Sequence, residues 1–399
     1  MKWYPNLVQA VIHALQEIFE EGYYADKVIE WVLKSNPKWG ARDRAFIAEN
    51  IYEVVRWYRL LCEISGKTPR RSGDWYELLG IWRVLQEDTL PDWAEFKAIQ
   101  PAAVKEKFLA FQQDRRIRAS IPDWLDEMGH AELGNAWETT LRALNEPAQV
   151  VLRANTLKMS PLDLVQRLQA EGVEAEMIQG DALQLKQRKN LFATAAFKEG
   201  LFEVQDFSSQ QVAPFLQVAA GMRVVDACAG AGGKTLHLAT LMQNKGNLIA
   251  LDTEARKLEE LRKRARRAGI HTIETRVVES TKTIKRLEKS ADRLLLDVPC
   301  SGLGVLKRNP DAKWKLSPAF IKEVKEKQKE ILRQYSRICK IGGQMAYATC
   351  SILPSENNEQ VQQFLEASDG AFEFVNEQVI LPQYRGYDGF YMALLQRIK

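Results

Sequence analysis

The spacing of apolar positions changes character twice along the chain. Up to about residue 145, Trp, Leu and Ile recur at helical spacing with no convincing alternation. The clearest stretch is 42–62, where Ile47, Ile51, Val54, Val55, Tyr58 and Leu61 form one apolar stripe while Arg44, Glu49, Glu53 and Arg59 lie mostly elsewhere. Such a stripe predicts a helix packed in a bundle. Pro37, the polar turn at 66–74, Pro91, Pro101 and Pro122 mark the boundaries. Around Pro147 the pattern shifts: 150–155 (VVLRAN) reads as a strand, 161–171 as a helix, and 172–206 as short β-prone pieces split by Gly180 and Gly200. A small α+β module over 146–215 fits this. From 216 onwards strands and helices alternate, as MRVVDAC, NLIALD, TIETRVV, RLLLDVPC, a long helix from Pro318 to Lys340, and GGQMAYATC. Alternation of this kind predicts an α/β, Rossmann-like domain with a doubly wound parallel sheet over 216–399. The expected organisation is thus 1–145 all-helical, 146–215 small α+β, and 216–399 α/β.

Composition narrows the setting. With 399 residues, 46% of them hydrophobic, the chain can build more than one core. No apolar run approaches the length of a membrane span, and the first residues, MKWYPNLVQAVIHALQEIFEEG, carry acids where a signal peptide is basic and then apolar. A soluble, unexported protein is therefore expected. The five cysteines, Cys62, Cys228, Cys300, Cys339 and Cys350, are odd in number and form no CxxC pair, and only four histidines accompany them. Neither a disulfide framework nor a zinc site is expected, and a reducing cytoplasm is. The formal net charge of +4 predicts no partner. Lys and Arg do cluster at 254–268 and 307–340. Such clusters mark either a polyanion or solvated helix faces, and charge alone does not choose between them.

Candidate chemistry lies at the ends of the buried runs. Leu294 to Leu296 is followed by Asp297, Pro299 and Cys300, and Gln344 to Ala348 by Thr349, Cys350 and Ser351. In an open α/β sheet ligands sit at the carboxyl ends of strands, so two thiols and an acid are expected to face one crevice. The first strand runs into Cys228, Ala229, Gly230, Ala231, Gly232, Gly233 and Lys234, a tight turn that lets backbone approach a ligand. A phosphate-binding P-loop is not expected, because that motif needs glycine where this chain has Cys228. Asp252 ends the next strand, about twenty residues on, where a carboxylate accepts from a ribose diol. A dinucleotide or S-adenosylmethionine suits that acid. The glycines lack the GxGxxG spacing and a dehydrogenase leaves the two cysteines unexplained, whereas S-adenosylmethionine fits both.

At this point the residues carry a resemblance. DACAGAGGKT, LLLDVPCSGLG with KRNPDAKW after it, and YATCSILPSENNEQV together resemble the Nop/Sun (RsmB-like) family of S-adenosylmethionine-dependent RNA cytosine-C5 methyltransferases. LRANTLKMSPLDLVQRLQAEGV and FKEGLFEVQDFSSQQVAPFL are similar to that family's RNA-recognition subdomain, and DGFYMALLQRIK to its last strand. The resemblance covers roughly residues 120 to 399, and the helices before it resemble the NusB-like RNA-binding domain of bacterial ribosomal-RNA members. It implies a class I methyltransferase fold, S-adenosylmethionine as cofactor and RNA as partner. Ribosomal RNA is the favoured substrate; transfer RNA, or a ribosome-assembly role with secondary catalysis, are the alternatives. A monomer without metal is expected.

The implied chemistry needs a nucleophile. Cytosine C5 is too weak to take a methyl group directly, so a thiolate adds to C6 first and pushes electron density onto C5. Both cysteines sit at strand ends, and the residues themselves do not say which attacks. The resemblance assigns Cys350 as nucleophile and Cys300 as the helper of release, with Asp297 on the cytosine edge and Lys234 assisting it. Arg308, Asn309, Lys313 and Trp314 after Cys300, and Arg153 and Asn155 in the small module, are candidate RNA contacts. The chain departs from the family pattern twice: Ala231 stands where proline is usual, and Glu279, or Ser280 beside it, stands where an adenine-side Asp is usual.

Overall fold

The apolar stripe of residues 47–61 is buried, but on two helices rather than one. Ile47, Ile51, Val54, Val55 and Leu61 have no exposed surface, and they lie on Ala41–Arg56 and Tyr58–Ser65, with a break at Trp57. The sequence there holds no proline or glycine to cause it. The cause is side chains inserted into the hydrogen-bond ladder. Trp314 Nε1 donates to the Val55 carbonyl and Lys313 Nζ to the Arg56 carbonyl, each at 2.7 Å. The amides of Arg59 and Leu60, which would have met those carbonyls, donate instead to the Ser120 hydroxyl at 3.0 and 3.4 Å. These two carbonyls and two amides thus each have a partner.

In this computed structural model, which describes residues 3–399, the chain divides into two units. The first takes the chain up to Asn145 and adds Leu306–Pro318; the second is Glu146–Val305 with Ala319–Lys399. The first unit is helical, with its core built from Pro5–Phe19, Ala25–Ser35, Ala41–Arg56, Tyr58–Ser65 and Ser72–Leu85. Its late segment contributes to this packing: Trp314 joins the core, and the Asp311 carboxylate accepts from the Ala25 amide at 3.0 Å, capping a helix whose own N-cap, Tyr24, supplies no side-chain acceptor.

The second unit holds two sheets. The smaller one is antiparallel and consists of β1 (Val151–Ala154), β2 (Ala175–Gln179), β3 (Ala182–Leu185) and β4 (Phe202–Val204) in the order β2-β3-β1-β4. The helix Pro161–Ala170 covers it through Leu164 and Leu168. The larger sheet contains β5 (Arg223–Asp226), β6 (Asn247–Asp252), β7 (Ile273–Val277), β8 (Ala291–Asp297), β9 (Cys339–Thr349), β10 (Phe372–Ile380) and β11 (Phe390–Arg397). Its order is β10-β11-β9-β8-β5-β6-β7. β7, β6, β5, β8 and β9 are parallel, and the closing pair β11 and β10 is antiparallel. The runs read as strands are buried on both faces: Leu248 to Leu251, Leu294 to Leu296 and Met345 to Ala348 have no exposed surface, and a separate apolar cluster forms on each side of the sheet.

This is a Rossmann-like fold. From β5 the chain fills one side with β6 and β7, then returns to lay β8 and β9 on the other. The order therefore reverses between β5 and β8, and a crevice opens at their carboxyl ends. Among the described residues no helix is long and apolar enough to cross a membrane.

Candidate active site

Strand register assembles the site. Asp297, the last residue of β8, pairs with Ala348 of β9, and the Val298 amide donates to the Ala348 carbonyl at 3.0 Å. Three residues beyond Asp297 and two beyond Ala348 stand Cys300 and Cys350, whose Sγ atoms lie 3.4 Å apart. Gly304 holds the two loops in contact: its amide donates to the Cys350 carbonyl at 2.9 Å, and a Cβ there would lie 2.7 Å from that oxygen and 2.2 Å from the Gly389 carbonyl oxygen. Only glycine allows so close a backbone approach.

Electrostatics differ between the thiols' neighbours. The hydrogen bond to Cys350, burial, and the nearby charges of Cys350 and Glu356 push the Cys300 thiol well up, so it holds its proton at neutral pH. Lys234 Nζ meets Asp297 Oδ2 at 2.7 Å and lies 4.8 Å from the Phe390 ring centroid. Beneath this pair, at the end of β5, the fully buried Asp226 accepts from the Thr235 hydroxyl at 2.7 Å. Burial, with the Asp297 charge adding to it, raises its carboxyl to about 7.

That shift gives a stability prediction. A carboxyl with a folded value near 7 against 3.8 unfolded favours the fold while it is neutral. The contribution is complete below the unfolded value and is lost as pH rises from there through 7. Asp226→Asn keeps the neutral form at every pH. Its stability relative to the parent should be greater at pH 8 than at pH 5, the difference amounting to about 2–3 kcal/mol. Thermal unfolding at the two pH values measures this; an equal offset at both removes the titration.

The glycine turn fits a nucleoside cofactor. Gly230 and Gly232 both take left-handed φ values, and a Cβ on Gly230 would meet nothing within 4 Å, so its backbone faces open space. The Asp252 carboxylate is fixed by two amides, Gly230 N and Glu254 N, each at 2.8 Å. That leaves its remaining lone pairs for hydroxyl donors. Cys228 is half-buried in the same turn and burial raises its thiol. Ala229 and Ala231 contribute backbone: the Ala229 amide donates to the Leu251 carbonyl at 2.9 Å, and the Ala231 carbonyl accepts from Arg264 at 2.8 Å. Glu279 and Ser280 lie exposed just past β7, next to the strand that carries Asp252.

The structure gives four of the six expected RNA contacts other work. Lys313 is 1% exposed; burial drops its amine well below the usual lysine range, and it donates to a helix carbonyl rather than to a strand of RNA. Trp314 is committed through Nε1 and its ring to the helical core. Arg153 is buried on β1, donates to Gln205 and, at 2.7 Å, to the Gly233 carbonyl, so it braces the glycine turn from the small module. Asn155 is buried too, its amide donating to the Gly200 and Ala268 carbonyls at 2.9 and 2.8 Å. Arg308 is half-buried and Asn309 exposed. What the sequence reading missed is Glu356, completely buried, which accepts from the residues that follow each cysteine, Ser301 and Ser351. The repeated Cys-Ser pair at 300–301 and 350–351 was the available signal.

The chain is similar to known methyltransferases. A family described as 16S rRNA methyltransferase RsmB/F matches residues 213–396, and one described as Methyltr_RsmF/B-like, ferredoxin-like domain matches 121–191. A Synechocystis protein named probable ribosomal RNA small subunit methyltransferase B is 30% identical over 96% of this chain and 97% of its own. The Bacillus subtilis protein of the same name is 32% identical over 80% of this chain and 73% of its own. Among solved structures, a methyltransferase homologue from Pyrococcus horikoshii is 26% identical, with a TM-score of 0.63 over 71% of this chain and 98% of that one.

Proposed function

Because this chain belongs to the RsmB/F family of RNA methyltransferases, whose methyl donor is S-adenosylmethionine, we propose that it makes 5-methylcytosine in ribosomal RNA through a covalent cysteine adduct. One observation carries the reading: two thiols 3.4 Å apart at the carboxyl ends of the adjacent strands β8 and β9, beside a Lys234–Asp297 pair. A methyltransferase acting on an oxygen or an amine needs no such thiol pair.

The chain's residues divide the work as follows. Asp252 and the 228–233 turn hold the donor, which supplies an electrophilic methyl group when bound. Asp297, anchored by Lys234, takes the N3 edge of a cytosine that has left its stack, sharing a proton there as charge develops on the ring. Cys350 is the attacking thiolate. Its sulfur bonds to C6, and the C5=C6 electron pair moves to C5, which takes the methyl group. Release reverses the addition: the C5 proton goes to a base, the C5=C6 bond re-forms and the C6–S bond breaks. Cys300 assists this step from 3.4 Å. Its thiol, pushed well up by the bond to Cys350 and by burial, stands where it can donate to the neighbouring sulfur as the C6–S bond breaks.

Arg308 and Asn309 remain candidate contacts to the RNA. The ribosomal target follows the names of the relatives. Incubation of the protein with labelled S-adenosylmethionine and total RNA, followed by digestion to nucleosides, should place label in 5-methylcytidine from small-subunit RNA. Label in another nucleoside, or confined to transfer RNA, overturns the reading.

A further inference from the structure

We propose that Glu356 is a positioning residue that clamps the Cys300 and Cys350 loops in register through Ser301 and Ser351, a role that rests on the two-thiol reading above. Its carboxylate is 0% exposed, and among the described residues no lysine, arginine or histidine makes an ion pair with it. A buried charge without a counter-ion persists only if hydrogen bonds saturate it. Four donors do so. Oε1 accepts from the Ser301 amide at 2.8 Å and from Gln328 Nε2 at 3.0 Å; Oε2 accepts from the Ser301 hydroxyl at 2.5 Å and from the Ser351 hydroxyl. The two hydroxyls are themselves 3.2 Å apart.

The donors come from both cysteine loops. Ser301 follows Cys300 and Ser351 follows Cys350, so one carboxylate ties together the two chain positions adjacent to the thiols. The clamp is in turn fixed from behind. Gln328 also donates to the Pro299 carbonyl at 3.0 Å, Tyr347 of β9 donates its hydroxyl to the Glu356 carbonyl at 2.7 Å, and Asn357 accepts from Thr349 and donates to the Ser351 carbonyl. Without the carboxylate, two serine hydroxyls, an amide and a glutamine lose their common acceptor, and the Gly304–Cys350 backbone bond is left to hold the loops on β8 and β9. Catalysis by paired groups is sensitive to a displacement of about 1 Å.

Two measurements test the clamp. Phenylarsine oxide bridges two thiols held side by side, releasing water, and needs no turnover. Steady-state methylation separates kcat from KM. Glu356→Ala should lose arsenical bridging of Cys300 and Cys350 and lower kcat by about a hundredfold, with the KM values for RNA and S-adenosylmethionine within about twofold of the parent. Glu356→Gln, which keeps the shape and can bond both hydroxyls once they reverse, should restore bridging and recover kcat to within about fivefold. If Glu356→Ala does not fold, Ser301→Ala and Ser351→Ala, each removing one arm, should weaken bridging and lower kcat about tenfold. Intact bridging and kcat in Glu356→Ala or in both serine variants overturns the clamp, as does a glutamine variant as impaired as alanine. If the protein makes no 5-methylcytosine, the function fails separately and bridging alone decides the clamp.

Discussion

Cys350→Ala should abolish methyl transfer and with it every denaturant-resistant protein–RNA adduct. The expected fall in kcat is at least about four orders of magnitude, because the bond to C6 is lost with the attacking sulfur and an unactivated C5 does not take the methyl group. The substitution is mild for the fold. Cys350 is half-buried in the turn after β9, its neighbour Gly304 contacts it through the backbone carbonyl rather than through sulfur, and Ser351 keeps its bond to Glu356. Binding of S-adenosylmethionine, supported by Asp252 and the glycine turn, should remain within about twofold. Single-turnover methylation and gel analysis of the RNA complex after denaturation check both parts. Methylation surviving at more than about a hundredth of the parent rate removes Cys350 from the nucleophile's role.

Much of the scaffold was legible in the sequence, for a physical reason. Parallel strands covered on both faces read as unbroken apolar runs, so Val224–Val225, Leu248–Leu251, Leu294–Leu296 and Met345–Ala348 announced their strands, and the polar residue ending each run marked the crevice. Local rules sufficed there. They failed where a side chain's fate is set by a partner far along the chain. Lys313 and Trp314 follow the Cys300 loop as a cation and an aromatic, which is how an RNA contact reads, yet their acceptors are the carbonyls of Arg56 and Val55, more than 250 residues earlier. The same long-range contact hid the break at Trp57, since the 42–62 stripe continues through it without interruption. Arg153 and Asn155 are placed in the same way. Their acceptors, at Gly233, Gly200 and Ala268, lie 45 to 113 residues away, and no spacing rule connects them. Glu356 stood inside a quoted motif, but its meaning depends on Ser301, 55 residues upstream.

Cys300→Ala should produce the opposite failure from Cys350→Ala. Attack and methylation proceed, because Cys350, Asp297 and Lys234 are unchanged, but elimination stalls and the protein accumulates bonded to methylated RNA. Turnover should drop by about a hundredfold or more while a single round of methyl transfer persists. The geometry makes the asymmetry specific. Cys300 stands on the loop after β8, beside Cys350 but not on its strand, so its loss leaves the attacking sulfur and the loop after β9 in place. Alanine removes the Cys300 sulfur 3.4 Å from Cys350 and leaves the clamp on Ser301 in place. The adduct should resist denaturant, carry one methyl group per protein, and release its RNA only when the protein is digested. An adduct that forms in Cys350→Ala and is absent in Cys300→Ala inverts the assignment. Attack then belongs to the loop on β8, and Cys350, on β9, becomes the group that assists release.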